Sequence, residues 1–160
     1  ERVAFLNRAL GDPWPDWSEA GLIEHTDDWL GPALANASGL DDAASIDLLS
    51  VFRSMLPHQL HAQLDRLAPE TFELPSGRAV NLDYSSGEAP TLAAKAQELF
   101  RLRSHQTAGG IPHTVEVMSP ADRPINITSE LQGFCAGSWK EVRKDMAGRY
   151  PKHDWPEDPQ

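Results

Sequence analysis

The sequence predicts an α+β fold: an N-terminal helical subunit, then two antiparallel β-hairpins interleaved with helices, closing on a small mixed sheet or a barrel-like core. Three observations predict it. Apolar residues recur at three and four positions up to about Leu67. Near Pro69 the period switches to two. Two turn-rich tetrads or triads, Pro75-Ser76-Gly77 and Ser119-Pro120-Ala121-Asp122, each sit between strand-like runs. The expected division is a helical subunit over 1–68 and an α+β domain over 69–160 that ends in an extended Pro-rich tail.

In the first part, Ser18 follows the turn-rich Asp12-Pro13-Trp14-Pro15-Asp16-Trp17 and suits an N-cap, where its hydroxyl accepts an amide hydrogen bond. The helix after it would place Leu22, Ile23, Thr26, Trp29 and Leu30 on one side, with Gly31-Pro32 ending it. A second helix from about Ser45 groups Ile46, Leu48, Leu49, Phe52 and Leu56. Pro57 lacks an amide hydrogen, so it closes that helix and suits the first turn of the next, which carries Leu60, Leu64 and Leu67.

In the second part, Thr71 to Leu74 and Arg78 to Tyr84 read as a hairpin, with Val80, Leu82 and Tyr84 alternating against Asn81 and Asp83. Pro90-Thr91 is expected to open an amphipathic helix with Leu92, Ala96, Leu99 and Phe100 on one face. Gly109-Gly110 marks a loop. His113 to Met118 and Pro124 to Thr128 form the second hairpin, with Pro124 at a strand's start or on an edge because it cannot donate to a ladder. Thr128 or Ser129 is expected to cap the next helix. A last helix from about Ser138 would bury Trp139, Val142 and Met146 and stop at Gly148, and Pro151 to Gln160 would wrap over the surface.

Composition bounds the function. The chain has 160 residues, 40% hydrophobic and 24% charged, enough apolar content for a packed core. Its formal charge is −10, which excludes a uniform electrostatic grip on phosphate but leaves room for a local basic patch. The acid is loaded at the front: net −7 over 1–68, −3 over 69–136 and zero over 137–160. Cys135 is the only cysteine, which excludes an intrachain disulfide and a cysteine-based zinc site. No apolar run approaches the roughly 18 residues of a membrane span and no signal-peptide pattern opens the chain, so a soluble, cytoplasmic protein without membrane contact is expected. The first residue is Glu1 and not Met, which suggests a cut inside a longer protein.

Catalytic motifs are missing where they would be decisive. There is no Gly-x-x-x-x-Gly-Lys-Ser/Thr and no Gly-x-Gly-x-x-Gly, and no lysine follows Gly109-Gly110. His61 and Asp65 would share a helix face near His58, but a zinc site needs three or four convergent ligands, and a polar helix face with an ordinary ion pair explains them better. His25, His105, His113 and His153 show no ligand spacing. Ser76 belongs to a turn, and Cys135 beside Phe134 reads as a small buried residue. No catalytic residue and no metal site is assigned.

The last segment is the candidate binding surface. Lys140, Arg143 and Lys144 fall at i, i+3 and i+4 on one helix face, and Arg149, Tyr150 and Lys152 follow, with His153 and Trp155 near. Ser138 to His153 carries +3. Cations beside aromatic rings can hold phosphates and stack bases. Equally, Glu141 and Asp145 can neutralise these cations while Tyr150 and Trp155 pin the tail to the fold.

Several runs in this chain resemble the C-terminal region of HrpB-type ATP-dependent helicases, a branch of the DExH-box superfamily. They are Leu74-Pro75-Ser76-Gly77-Arg78, Asp83-Tyr84, Gln97-Glu98-Leu99-Phe100, Met118 to Pro124, Glu141-Val142-Arg143-Lys144 and, most specifically, Gly148 to Pro159. Trp14-Pro15-Asp16, Asp28-Trp29-Leu30 and Leu56-Pro57 extend the likeness over the front. Arg101 stands where that family commonly has glycine, which would let its helix continue, and Cys135 where a tryptophan is usual.

The resemblance implies a parent with two RecA-like motor lobes upstream, which would hold ATP and Mg and act on RNA or DNA. No catalytic residue carries over to this chain, and no cofactor is expected in it. Two roles follow. In one, Lys140, Arg143, Lys144, Arg149, Tyr150 and Lys152 contact single-stranded RNA or DNA around a groove with an exposed aromatic ring. In the other, the chain braces the motor lobes or binds a protein through an apolar patch near Trp14, Trp17 or Trp29.

Overall fold

Alternation of apolar residues at helical spacing organises the chain up to Leu67, and alternation of period two takes over beyond it. In a computed structural model, which describes residues 1–35, 37–86, 88–100, 102 and 107–159, the chain divides into two compact units, Glu1–Leu67 and Ala68–Gln160. The class is α+β.

The first unit opens with α1 (Arg2–Leu10), which buries Val3, Ala4, Phe5 and Leu6. It packs against α6 (His58–Leu67), where Leu60 is buried, and Arg2 Nη2 donates to Asp65 Oδ1 at 2.7 Å. The Asp12-Pro13 peptide is cis. Trp14 behind it is buried, and its carbonyl accepts from Asn7 Nδ2 at 2.7 Å. As expected, Ser18 caps α2 (Glu19–Glu24): its hydroxyl accepts from the Gly21 amide at 3.2 Å.

The single helix expected after Ser18 is two. The chain breaks at His25 (φ −106°, ψ 30°) and restarts as α3 (Thr26–Leu34). Thr26 Oγ1 donates to the Ile23 carbonyl at 2.7 Å and Trp29 Nε1 to the Leu22 carbonyl at 2.9 Å, so two side chains satisfy the groups that the break exposes. Nor does Gly31-Pro32 end the helix; Pro32 lies inside it. Pro32 cannot donate to the carbonyl of Asp28 four residues back, and Asp28 is exposed, where water can serve.

A short α4 (Leu40–Ala44) was not expected, and α5 (Leu48–Met55) begins after Ser45 because Asp47 caps it, accepting from the Leu49 and Ser50 amides at 3.1 and 3.3 Å. Phe52 of α5 packs between Trp17 and Trp29, with ring centroids 5.3 and 5.2 Å away.

The second unit begins with the expected hairpin: β1 (Thr71–Glu73) pairs antiparallel with β2 (Ala79–Asn81). Gly77 takes φ 83° at the turn, a conformation that suits glycine. Val80, Leu82 and Tyr84 are buried, as the alternation predicts.

The helix expected from Pro90-Thr91 is instead β3 (Thr91–Lys95), followed by a single helical turn, α7 (Ala96–Leu99). Leu92 and Ala94 face inward while Ala93 is exposed, so the segment alternates, but its alanines gave no contrast by which to see it. The expected continuation of that helix through Arg101 lies outside the described residues. Gly109 and Gly110, at φ 56° and 83°, form the turn between the two-residue strands β4 (Thr107–Ala108) and β5 (Ile111–Pro112).

The second hairpin is as expected: β6 (Thr114–Met118) pairs antiparallel with β7 (Pro124–Thr128). Strand β3 joins β6 in parallel, with Leu92 opposite Val115, giving a mixed sheet of order β3-β6-β7. Pro124 opens the edge strand, where no ladder bond is lost. Among the described residues the strands form three small sheets and no closed barrel.

Neither Thr128 nor Ser129 caps α8 (Leu131–Ala136); Thr128 Oγ1 instead accepts from the Glu130 amide at 3.0 Å, closing a local turn. Helix α9 (Trp139–Arg149) runs through Gly148 and stops at Tyr150, before Pro151.

Candidate nucleic-acid interface

Helix α9 presents its faces as the spacing requires. Trp139 and Met146 are buried and Val142 half-buried, while Lys140 and Lys144 stand exposed on the flank. The tail after α9 does more than lie on the surface, as was expected of it: Trp155 and Pro159 are buried. Trp155 Nε1 donates to the Tyr150 carbonyl at 3.0 Å, and Trp139 Nε1 donates to the Pro156 carbonyl at 3.0 Å. Phe100 and Phe134 both meet the Trp139 ring edge-on, so four aromatic side chains build one cluster under the basic segment.

The six candidate residues separate into two sets. Arg143 is half-buried; its Nε donates to the Trp155 carbonyl at 2.7 Å and its Nη2 lies 3.6 Å from Glu157 Oε1. Arg149 Nε sits 3.1 Å from Asp145 Oδ1, one helical turn back. Tyr150 is half-buried against the His153 ring. These three serve the tail and the helix. Lys140, Lys144 and Lys152 are exposed and carry no ion pair among the described residues. Of the aromatic rings near these cations, Trp139 and Trp155 are spent in the core and Tyr150 is half-buried.

Other candidates resolve simply. His61 Nε2 bonds the Leu56 carbonyl at 3.0 Å, and among the described residues no group of three or more His, Cys, Asp or Glu converges. Burial pushes the Cys135 thiol above its ordinary value, with the Asp158 carboxylate adding to the shift, so it is a poor nucleophile. Ser76 lies exposed in its turn. The Gly109-Gly110 pair shapes a two-residue turn with no lysine after it, which does not fit a phosphate-cradling loop for ATP and Mg. No helix among the described residues is long and apolar enough to cross a membrane.

The sequence pointed to an apolar patch near Trp14, Trp17 or Trp29, but not to which apolar side chains stand exposed. Trp14 is buried, and Trp17 and Trp29 are half-buried on Phe52, so no tryptophan is open. Exposed instead are Ile23 at 67%, Leu40 at 89%, Leu49 at 60%, Leu10 at 47% and Leu48 at 45%, with Leu34 and Met55 less so. Among the described residues only Ile127 adds to these in the second unit. The adjacent leucines of α5 were the available signal. Neighbours on a helix point about 100° apart, so one narrow buried stripe cannot take both.

The family described as ATP-dependent helicase C-terminal matches residues 29–159. The ATP-dependent RNA helicase HrpB of Escherichia coli strain K12 is 34% identical over 148 residues, covering 91% of this chain and 18% of that protein. A crystal structure of the E. coli DExH-box NTPase HrpB superposes with TM-score 0.86 at 32% identity, over 99% of this chain and 20% of that one. A second, of the E. coli DEAH/RHA helicase HrpB, gives TM-score 0.72 at 30% identity, over 96% and 20%. The chain therefore spans about a fifth of the length of the relatives it matches.

Proposed function

The chain belongs to the HrpB-type ATP-dependent helicase C-terminal family, and from that premise we propose that it is the accessory domain of a cytoplasmic helicase, docked on the motor lobes through its helical unit. One observation carries this reading. Helices α3, α4 and α5 bury no residue fully, and six of the eight large exposed apolar side chains among the described residues lie on α2 to α5. Exposed apolar groups in such number mark a surface that another body covers. The occupant in this reading is the RecA-like motor that the family resemblance implies, and the relatives, about five times this chain's length, leave room for it. ATP and Mg belong to those lobes.

The test is to mix the 160-residue chain with the separately expressed remainder of its parent helicase and measure affinity by calorimetry. Replacing Leu48 and Leu49 with serine is expected to weaken binding by about tenfold or more, from the apolar area lost. Unchanged affinity in the folded double variant would reject this docking face.

A second reading rests on its own observation, the three exposed lysines that carry no ion pair among the described residues. In it Lys140, Lys144 and Lys152 guide a strand of RNA or DNA past the motor. Anisotropy of labelled single-stranded RNA across a salt series measures it. Three phosphate contacts give a slope of log affinity on log salt of about −2. Absence of binding at low salt would remove this reading and leave docking alone.

A further inference from the structure

The exposed apolar side chains of the helical unit have acidic neighbours. Ile23 is followed by Glu24 and Leu40 by Asp41, Leu48 is preceded by Asp47, and all six residues are exposed. Residues 18–56, which span α2 to α5 and their caps, hold seven carboxylates against one arginine, Arg53, and every one of the seven is exposed. Part of this charge serves the fold. Asp47 caps α5, Asp42 Oδ2 accepts from the Ser38 amide at 2.9 Å, and Asp28 Oδ2 lies 3.4 Å from His25 Nδ1. Asp41 stands in the first turn of α4, where the helix dipole favours a carboxylate. Glu24 has no such explanation. It is the last residue of α2, the end at which the dipole disfavours an anion, and its carboxylate makes no ion pair among the described residues.

These carboxylates constrain what covers the face. A body that buries Ile23 and Leu40 must border Glu24 and Asp41, and an apolar border would strip their water with nothing in return. Phosphate is repelled at the same place, which disfavours a nucleic-acid strand or an anionic lipid surface. Complementary charge removes the difficulty. We infer that the surface docked on α2 to α5 is apolar at its centre and carries lysine or arginine where it meets Glu24 and Asp41, so that charge steers the contact and fixes its register. The inference rests on the docking reading given above and adds the chemistry of the partner's face: the motor surface is the cationic member of the pair. Acid that only keeps the helical unit solvated would make no single carboxylate matter to binding.

The test is calorimetry of the 160-residue chain with the separately expressed remainder of its parent helicase, repeated across a salt series. Affinity is expected to fall about tenfold between about 50 and about 500 mM salt, as screening of exposed opposite charges requires. E24Q/D41N should weaken binding about fivefold at the low-salt end and hardly at all at the high end, and E24K/D41K should weaken it further. E73Q/E141Q removes the same charge from exposed positions of the second unit and should leave the affinity within about twofold. Thermal melts confirm that each variant keeps the fold. Binding that L48S/L49S weakens but E24Q/D41N leaves unchanged at low salt overturns this inference and leaves docking standing, and so does an affinity indifferent to salt. An equal loss in E24Q/D41N and E73Q/E141Q also overturns it, since net charge and not this face would then be responsible. No binding by the folded chain at low salt removes the docking reading and this inference with it.

Discussion

Trp139 and Trp155 lie with ring centroids 6.0 Å apart, and each indole N–H is spent on a main-chain carbonyl of the segment from Tyr150 to Pro156. The run Gly148 to Pro159, the most specific of the runs that resemble the helicase family, is therefore first a device for closing the core. Trp155→Ala removes a buried ring and leaves a cavity, and is expected to cost about 3–5 kcal/mol. Urea unfolding followed by Trp fluorescence measures it; a loss below about 1 kcal/mol would contradict the packing described.

Arg143 shares that duty, since its guanidinium holds the Trp155 carbonyl. Arg143→Ala is expected to destabilise by about 1–2 kcal/mol through a lost charge-assisted hydrogen bond. Lys140→Ala and Lys144→Ala should each stay within about 0.5 kcal/mol of the parent chain. The consequence for design is direct: a nucleic-acid test that mutates Arg143 confounds affinity with folding, whereas Lys140, Lys144 and Lys152 do not. Thermal melts of the single variants decide the point.

Two glycines should answer oppositely to alanine. A Cβ on Gly21 would stand 2.5 Å from the Asp16 carbonyl oxygen, a backbone atom that cannot swing aside. Gly21→Ala is expected to lose about 1–3 kcal/mol. A Cβ on Gly148, inside α9, meets nothing within 4 Å. Gly148→Ala should gain about 0.5–1 kcal/mol from helix propensity and a stiffer unfolded chain. Gly148→Ala melting below the parent chain would be evidence against α9 continuing to Arg149.

Acid should weaken the second unit through Glu98. The Arg78 guanidinium holds the Glu98 carboxyl below its ordinary value of 4.5, partly offset by burial, with the Lys95 amide adding a further bond. A folded-state value below the unfolded one means a contribution fully present above 4.5 and lost as the pH falls through the folded value. Glu98→Gln should flatten that part of the stability profile relative to the parent chain. Parallel profiles in urea titrations on either side of 4.5 would show that the pair contributes nothing.

The hairpins were legible because their turns are chemically marked, by Pro75-Ser76-Gly77 and by Ser119 to Asp122, and because Val80, Leu82 and Tyr84 alternate with polar neighbours. Strand β3 was not. Alanine favours helix and barely distinguishes an inner from an outer face, so Thr91 to Lys95 is a strand only because β6 lies beside it. The break at His25 depends on side-chain bonds from Thr26 and Trp29 that spacing does not announce. In the candidate site, the helical face of Lys140, Arg143 and Lys144 followed from periodicity. That Arg143 belongs to the tail did not, since its partner is a main-chain carbonyl twelve residues on.

The parallel seam between β3 and β6 has a temporal consequence. Strands β6 and β7 meet across one tight turn, but Leu92 finds Val115 only after α7 and the β4–β5 turn have been threaded between them. Closing a longer loop costs more entropy before any contact repays it. The β6–β7 ribbon is thus expected to gain amide protection first in pulse-labelled hydrogen exchange, with β3 added afterwards. Until β6 exists as a template, Thr91 to Lys95 has no neighbour to hold it extended, which makes the addition of β3 the step most open to interception while the chain is being made.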